Sequence, residues 1–360
     1  MSLLASKRPG SAPEHPAPAP GHQEVRVRRG ERSGVTMAVA VDRTLAGRSL
    51  GGCRMWHYRT TADAVRDVRG LAHSMSFKAA AAGLPVGGGK AVIALEDAHK
   101  PSGSRRDQIL RDFAELVESF GGRYITAQDV GTSLQDMIFL SELTDHVAGH
   151  PIDRGGSGDP SAYTAHGVEV GIRASVRGPL SGRHVVVAGL GHVGGELARR
   201  LHEAGARLTV TDSDQSKRAL AARLDASWVE PEEALSVEAD VFAPCALGGI
   251  LDRAAALSLQ VPVVAGAANT QLADESVADT LRGRGIVWAP DFIINAGGLI
   301  AVVDELEGFD RSRVERAIEG IADTLAQIYA DAARNRTNTL IAAKQLARER
   351  LIGDLNGNHA

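Results

Sequence analysis

The chain contains 360 residues, of which 44 are acidic and 40 are basic, and its formal net charge is −4. A chain of this length exceeds the size at which one hydrophobic core keeps growing, so two domains are expected. The balanced charge argues against a nucleic-acid-binding protein, and no apolar run approaches the roughly 20 residues of a membrane-spanning helix. We therefore expect a cytoplasmic globular protein with no nucleic-acid or membrane partner.

The first 22 residues are rich in Pro, Ala and Ser and are predicted to be disordered. They lack the apolar core of a signal peptide. Such a segment is either an inert solvated extension or a site that recruits a partner. The cysteines, Cys53 and Cys245, form no CxxC pair, and no histidines have metal-site spacing, so we expect neither a disulfide nor a metal site.

The next part of the chain predicts an α/β domain. Strands around residues 25–27 and 37–41 are followed by a loop that leads into LGGCRMW, a helix over 61–74, a strand over 90–95, a helix over 106–120 and a strand over 123–126. The last strand delivers Gln128 and Asp129 to its carboxyl end, where α/β sheets usually bind ligands. An ordinary turn acid is the alternative interpretation of Asp129.

Two lysines flank a glycine-rich stretch, Lys78 in MSFKAA and Lys90 in LPVGGGKAVI. An isolated lysine is usually a solvated surface charge, and three glycines can form a plain turn. Here, however, Lys78 lies in an Ala-rich segment and Lys90 enters an apolar strand. Two cationic donors beside a backbone without side chains suit the binding of a carboxylate and chemistry at the adjacent carbon, so the pattern predicts an enzyme. Burial and the charge of Lys78 would both favour a partly neutral Lys90.

The second half of the chain alternates strands and helices. The predicted elements are a helix over 161–176, a strand over 184–188, a helix over 195–204, strands over 208–211, 241–243, 263–265 and 286–288, and C-terminal helices near 293–306, 311–333 and 338–352. This alternation predicts a doubly wound parallel sheet.

A dinucleotide fingerprint follows the strand over 184–188. Its loop residues are Gly189, Gly191, His192, Val193 and Gly194, and Asp212 ends the next strand about 20 residues on. The glycines permit the tight turn, the approach of the pyrophosphate and the packing of helix on strand. Asp212 suits a ribose diol and disfavours a 2′-phosphate, which predicts NAD rather than NADP. A helix N-cap is its alternative role, and Lys217 and Arg218 leave NADP open.

Together these motifs resemble the leucine/valine/phenylalanine dehydrogenase family, which is related to glutamate dehydrogenase. The matching segments are LGGCRMW, MSFKAAAAGLPVGGGKAVI, YITAQDVGT, VVVAGLGHVGG, VFAPCALGG, VVAGAANTQLA and APDFIINAGGLI. The resemblance implies NAD-dependent oxidative deamination of an L-amino acid in a cleft between a substrate domain and a Rossmann domain. It implies that Lys78 holds the substrate carboxylate, Lys90 is the general base and Asp129 handles protons at the amino group.

The resemblance also implies further contacts and a domain organisation. Ala246 and Asn269 would contact the cofactor, and Gly51, Gly52, Asn295, Leu50, Ala127, Leu299 and Val302 would contact the substrate. The substrate domain would comprise residues 23–148 and about 330–360, and the Rossmann domain residues 149–329. Departures from the family pattern are the Pro/Ala segment in place of an N-terminal helix, Gln128 in place of Glu, and Thr270 in place of a second Asn.

The apolar pocket candidates favour a hydrophobic amino acid over glutamate. Ala127 resembles members that prefer aliphatic substrates and Leu299 resembles members that take aromatic ones, so leucine, valine, phenylalanine and tryptophan stay open. A specialised biosynthetic enzyme for an aromatic amino acid and a non-catalytic NAD-binding sensor are the other functional interpretations. By resemblance we expect a homo-oligomer.

Overall fold

The computed structural model describes residues 24–246 and 248–355, so the predicted disorder of residues 1–22 lies outside the described residues. These described residues fall into two compact units. The first unit comprises the chain up to Asp159, Val302–Asp310 and the chain from Ala347, and the second comprises Pro160–Ala301 and Arg311–Leu346. The boundaries were expected at 148/149 and 329/330, whereas the two units divide after Asp159 and Leu346 and exchange the segment Val302–Asp310. The helix over 321–334, which crosses the expected boundary, packs on the helix over 161–176.

The first unit is built on one sheet flanked by helices. Its elements before Asp159 are β1 (Glu24–Arg29), β2 (Thr36–Val41), β3 (Ser49–His57), α1 (Thr61–Ala81), β4 (Gly87–Leu95), α2 (Gly103–Glu118), β5 (Tyr124–Gln128), α3 (Leu134–Ser141) and a 3-10 turn (Ile152–Arg154). Among the described residues the strand order is β1-β2-β4-β3-β5. β3 runs parallel to both β4 and β5, whereas β2 is antiparallel to β1 and β4.

The two faces of this sheet have different cores. Ala38, Ala40 and Val92 pack on α1 together with Val68. Side chains on the opposite face of the sheet pack on α2 and α3. They include Met37 and Val39 of β2, Cys53 of β3, and Ala91 and Ile93 of β4. Because side chains alternate along a strand, Lys90, between Ala91 and Gly89, points to the α1 face.

Two strands of this unit extend beyond the predicted elements. LGGCRMW, to which no element was assigned, is part of strand β3, and the glycine triplet Gly87–Gly89 is the start of β4 and not a turn. These glycines allow neighbouring backbones to approach closely. A Cβ at Gly51 would lie 1.7 Å from the Gly89 carbonyl oxygen, and a Cβ at Gly88 would lie 2.1 Å from the Ser76 nitrogen. α1 is also longer than predicted and carries Lys78 in its last turn.

The second unit contains the predicted parallel sheet. Its elements begin with α4 (Ser161–Val176), β6 (His184–Ala188), α5 (His192–Glu203), β7 (Arg207–Thr211), a 3-10 turn (Gln215–Lys217), α6 (Arg218–Arg223), β8 (Ser227–Trp228), a 3-10 turn (Ala234–Ser236), β9 (Val241–Pro244), α7 (Arg253–Ser258), β10 (Val263–Val264), α8 (Val277–Gly283) and β11 (Val287–Trp288). Among the described residues the order is β11-β10-β9-β6-β7-β8, with all pairs parallel. The order reverses at β6, where open α/β sheets bind ligands.

The late elements are α9 (Asp291–Ile294), α10 (Gly297–Asp304), a 3-10 turn (Glu305–Glu307), α11 (Arg311–Glu319), α12 (Ile321–Arg334) and α13 (Thr339–Leu355). α10 and α13 each contain a boundary between the units. Within the described residues no helix has the length and apolar content to span a bilayer. In the same residues no cluster of His, Cys, Asp and Glu could hold a metal ion, and Cys53 and Cys245 are free thiols.

Candidate active site and nucleotide-binding loop

Lys90 and Asp129, predicted from separate motifs, form an ion pair in the first unit. The Lys90 side chain is only 8% exposed, and its Nζ lies 2.8 Å from Asp129 Oδ2. Asp129 directly follows the last residue of β5, as the sequence predicted. β3 lies between β4 and β5, so the ion pair crosses β3 on its α1 face.

Gly52 makes this crossing possible. The strands are in register so that Cys53 of β3 pairs with both Ala91 and Gln128, and Gly52 precedes that row on the α1 face. A Cβ at Gly52 would lie 2.7 Å from the Asp129 Cβ and 2.6 Å from the Gln128 carbonyl oxygen. Since Gly52 has no side chain, the Lys90 ammonium reaches Asp129 over the backbone of β3.

The charges around Asp129 keep it ionised. Its burial alone would raise its pKa, but the positive charges of Lys90 and Arg54 outweigh burial and hold the pKa below its ordinary value. The expectation of a partly neutral Lys90 was based on its burial and on the charge of Lys78, without the Asp129 carboxylate. An ion pair at 2.8 Å stabilises the charged forms of both side chains.

Three residues of this site were missed by the sequence analysis. Arg54 Nε lies 3.4 Å from Asp129 Oδ2, and Arg54 Nη1 donates to Asp67 Oδ2 at 3.1 Å. Tyr58 Oη donates to the same Asp67 oxygen at 2.5 Å. A strand assignment for LGGCRMW would have revealed Arg54, because it alternates with Gly52 and so faces the same side of the sheet.

The other predicted substrate residues of the first unit are placed by their strand or helix. Leu50 and Ala127 are buried, and both face the α1 side, since Leu50 pairs with Ile125 and Gly52 with Ala127. Lys78 lies on α1, which packs closely against β4 where Ser76 meets Gly88. Val302 is 8% exposed. Their contacts with substrate remain predictions.

The fingerprint loop of the second unit has the predicted backbone geometry. Gly189 has φ of 107°, a conformation that favours glycine, and a Cβ there would lie 2.7 Å from the Ala246 Cβ. A Cβ at Gly194 would lie 1.9 Å from the Gly189 carbonyl oxygen, so this glycine allows α5 to pack on the turn. Gly191 is the N-cap of α5, and a Cβ there would meet no atom within 4 Å. The helix N-terminus, with His192 and Val193 as its first residues, is therefore open to an anion.

Asp212 stabilises this loop. Its Oδ2 accepts from the Leu190 N–H at 2.6 Å and its Oδ1 from the Asp214 N–H at 2.8 Å. The N-cap of the following 3-10 turn is Asp214, whose side chain accepts from the Ser216 N–H. The N-cap role considered for Asp212 is therefore filled by Asp214. A cavity of about 280 Å³ between α5 and α6 starts at Gly191. Its lining includes Arg199, Lys217 and Arg223.

Asn295 offers a buried acceptor in the same unit. It is 4% exposed, and its Nδ2 donates to Asn269 Oδ1 at 2.9 Å and to the Ala267 carbonyl at 3.2 Å. Among the described residues Asn295 Oδ1 has no hydrogen-bond partner. A buried acceptor without a donor is rare and suits the amide N–H of a ligand. With the open Gly191 turn, these residues fit a nicotinamide dinucleotide. Leu299 lies nearby in sequence on α10 and is buried.

Comparisons with known proteins cover both units. The chain matches the family model described as Glu/Leu/Phe/Val dehydrogenase, dimerisation domain, over residues 22–146, and the model described as Glutamate/Leucine/Phenylalanine/Valine dehydrogenase over residues 209–353. It is 40% identical to leucine dehydrogenase of Geobacillus stearothermophilus over 92% of this chain and 90% of the relative. It is 40% identical to valine dehydrogenase of Streptomyces virginiae over 92% and 94%. The crystal structure of L-tryptophan dehydrogenase from Nostoc punctiforme matches with a TM-score of 0.82 at 36% identity, over 93% of this chain and 97% of that chain.

Proposed function

We propose that this chain, which belongs to the Glu/Leu/Phe/Val dehydrogenase family and is an amino-acid dehydrogenase, oxidatively deaminates hydrophobic L-amino acids with NAD. The products are the 2-oxo acid and ammonia, and the reaction is reversible. The observation that carries this proposal is the buried pair of Lys90 and Asp129, held across Gly52 at 2.8 Å. A buried base next to a carboxylate is the arrangement that proton transfer at an amine requires.

The side chains have separate roles in the proposed reaction. Lys78 binds the substrate carboxylate, as the family resemblance implies. When bound, the nicotinamide ring supplies the acceptor for the hydride that leaves the α-carbon. Lys90 then removes a proton from the water that attacks the resulting iminium carbon. The Asp129 carboxylate accepts the proton that the substrate ammonium loses before the hydride leaves, and returns it to the departing amine, so that nitrogen leaves as ammonia.

The apolar side chains favour a hydrophobic substrate. Leu50 and Ala127 are buried on the face of the sheet that carries Lys90, and neither can pair with the second carboxylate of glutamate. An aliphatic side chain is our first choice, in agreement with the leucine and valine dehydrogenase relatives. An aromatic substrate is the second, because L-tryptophan dehydrogenase of Nostoc punctiforme is 39% identical over 92% of this chain.

The choice of NAD rests on Asp212. Its carboxylate lies at the end of β7 and is held by the Leu190 N–H, in position to accept from a ribose hydroxyl and to disfavour a 2′-phosphate. Lys217 lines the adjacent cavity and favours a phosphate, which weakens the discrimination. We also propose a homo-oligomer, because residues 22–146 match a domain described as a dimerisation domain, and a cytoplasmic location remains our expectation.

A substrate panel tests this function. Purified protein is assayed with individual L-amino acids and NAD or NADP, following reduced nicotinamide, with the Lys90→Ala variant as the inactive control. We expect turnover with leucine or valine and little with glutamate. If NADH binds but no amino acid is turned over, the protein is a nucleotide-binding sensor and the proposed function is wrong.

A further inference from the structure

Arg54 contacts two carboxylates, those of Asp67 and Asp129. Its side chain is 16% exposed, and it lies between Asp129, 3.4 Å from Nε, and Asp67, 3.1 Å from Nη1. Asp67 belongs to α1 and its side chain is 4% exposed. Arg54 therefore links the end of β5 to α1 through its own strand, β3.

Asp67 and Tyr58 fix the guanidinium in place. The Tyr58 hydroxyl donates to Asp67 Oδ2, the same oxygen that accepts from Arg54. Burial, together with the neighbouring Asp67 carboxylate, raises the pKa of Tyr58 well above its usual range, so the hydroxyl stays a donor. A buried carboxylate is strongly unfavourable without a cation, and Arg54 supplies one to Asp67. The rigid fork of the guanidinium suits this double contact better than a lysine would.

Arg54 supplies one of two positive charges in this cluster. Lys90 and Arg54 are the cations and Asp67 and Asp129 are the anions. Lys90 must be neutral before it can accept a proton as a general base, and Asp129 then has no ammonium beside it. Arg54 cannot be deprotonated, so it remains next to Asp129 at every stage.

We propose that Arg54 is a positioning residue of the amine site, which holds Asp129 in its orientation and favours its anionic form when Lys90 is neutral. Asp67 and Tyr58 hold Arg54 for this task. The role of Asp129 in the reaction rests on the proposed function, whereas the effect of Arg54 on Asp129 does not.

The groups that face Asp129 come from each neighbouring strand and from α1. On the α1 face they are Lys90 from β4, Arg54 from β3 and Asp67 from α1 behind Arg54, while Cys53 of β3 and Tyr124 of β5 lie on the opposite face of the sheet within electrostatic range of Asp129. Burial raises the pKa of both the Cys53 thiol and the Tyr124 hydroxyl well above their usual ranges, so these two groups stay neutral. Lys90 and Arg54 are therefore the groups that decide the charge of Asp129.

The test compares Arg54→Gln and Arg54→Lys with wild type in pH profiles of kcat and kcat/KM. Arg54→Gln should move the acidic limb to higher pH by about one unit, because an adjacent opposite charge lowers a carboxyl pKa by roughly one to three units. It should lower kcat about tenfold with little change in KM, since transition-state interactions are lost rather than substrate binding. Arg54→Lys should restore the acidic limb. Arg66→Gln, an exposed arginine of α1, is the matched control and should behave as wild type.

Arg54→Gln leaves Asp67 buried without this cation, so the double variant Arg54→Gln/Asp67→Asn is made alongside it. A ¹³C NMR titration of the Asp129 carboxyl, assigned with Asp129→Asn, gives a readout that needs no turnover. The proposal predicts a higher Asp129 pKa in the double variant. It is overturned if that titration is unchanged from wild type. If wild-type protein turns over no amino acid, the proposed function fails, and the carboxyl titration still decides the role of Arg54.

Discussion

Lys90 reaches Asp129 across an intervening strand, and the two side chains meet at 2.8 Å because Gly52 leaves the space between them empty. The ion pair therefore depends on how β4, β3 and β5 are arranged in the sheet, and neither sequence motif alone determines it. The close spacing also makes the site sensitive to changes that leave both charged residues in place.

Gly52→Ala should disrupt the site without removing any polar group. The new methyl carbon would lie 2.7 Å from the Asp129 Cβ and 2.6 Å from the Gln128 carbonyl oxygen, so the end of β5 must move. A displacement of about 1 Å can lower kcat on the order of a hundredfold. Gly283→Ala is the control, because a Cβ at Gly283 would meet no atom within 4 Å. Wild-type kcat in Gly52→Ala, measured by steady-state kinetics, would show that Asp129 does not need its present position.

Lys90→Ala should abolish most turnover while the protein stays folded. Loss of a general base lowers kcat by about 10² to 10⁴-fold. Asp129→Asn should have a similar effect if Asp129 handles protons, and should retain activity if it is only a turn acid. Lys100→Ala, in an exposed position after β4, should leave kcat unchanged. Ordinary turnover in Lys90→Ala, with circular dichroism like wild type, would remove Lys90 from the mechanism.

Asp136 should make the first unit sensitive to acid. Burial alone would raise its pKa, but Arg106, at 2.6 Å, and the cap contacts of Ser133 hold the pKa below the ordinary 3.8. A carboxyl whose pKa is lowered on folding stabilises the protein fully above the unfolded value, and this stabilisation is lost as pH falls through the lower folded value. The free energy of unfolding should therefore decrease below about pH 4.

Asp136→Asn should remove this part of the acid dependence. Because it breaks a mostly buried ion pair, it should lower the free energy of unfolding at neutral pH by about 3 kcal/mol. Asp63→Asn, at the exposed start of α1, should have a smaller effect. Urea denaturation between pH 3 and 7 measures both variants. An unchanged slope of stability against pH in Asp136→Asn would contradict the assignment.

The sequence predicted the second unit better than the first, for a physical reason. The strand of His184–Ala188 is buried on both faces and is followed by glycines with distinct conformational requirements, so its pattern is local. β3 contains Gly51 and Gly52, which argue against a strand when read locally. A side chain at Gly51 would collide with Gly89 of β4, and one at Gly52 would collide with Gln128 of β5. Because these neighbours belong to other strands, a single sequence does not show why glycine is needed. Arg54 was missed with its strand.

The same limit applies to the charge state of Lys90. Burial and a second lysine could be judged from the local sequence, and both favour the neutral form. Asp129 was also identified, but from a different motif, and its distance from Lys90 follows only from the strand order. Lys90 and Asp129 could therefore be identified separately from the sequence, whereas their electrostatic coupling required the sheet.

Asp212 should set the preference for NAD, and its two variants separate charge from hydrogen bonding. Asp212→Ala removes the acceptor for both the Leu190 N–H and a ribose hydroxyl. A hydrogen bond to a charged group contributes about 1.5 to 3 kcal/mol, so kcat/KM with NAD should fall roughly tenfold to a hundredfold. Asp212→Asn keeps an acceptor but removes the charge that repels a 2′-phosphate, so it should lower NAD use less and raise NADP use.

Lys217→Ala completes this comparison, because Lys217 lines the cavity next to the loop and would attract the same phosphate. It should lower kcat/KM with NADP and leave that with NAD unchanged. Binding of 2′,5′-ADP and of ADP, measured by calorimetry, gives the same comparison without turnover. If Asp212→Asn keeps the wild-type ratio of NAD to NADP efficiency, the charge at the end of β7 does not select the cofactor, and discrimination must come from another part of the nucleotide site.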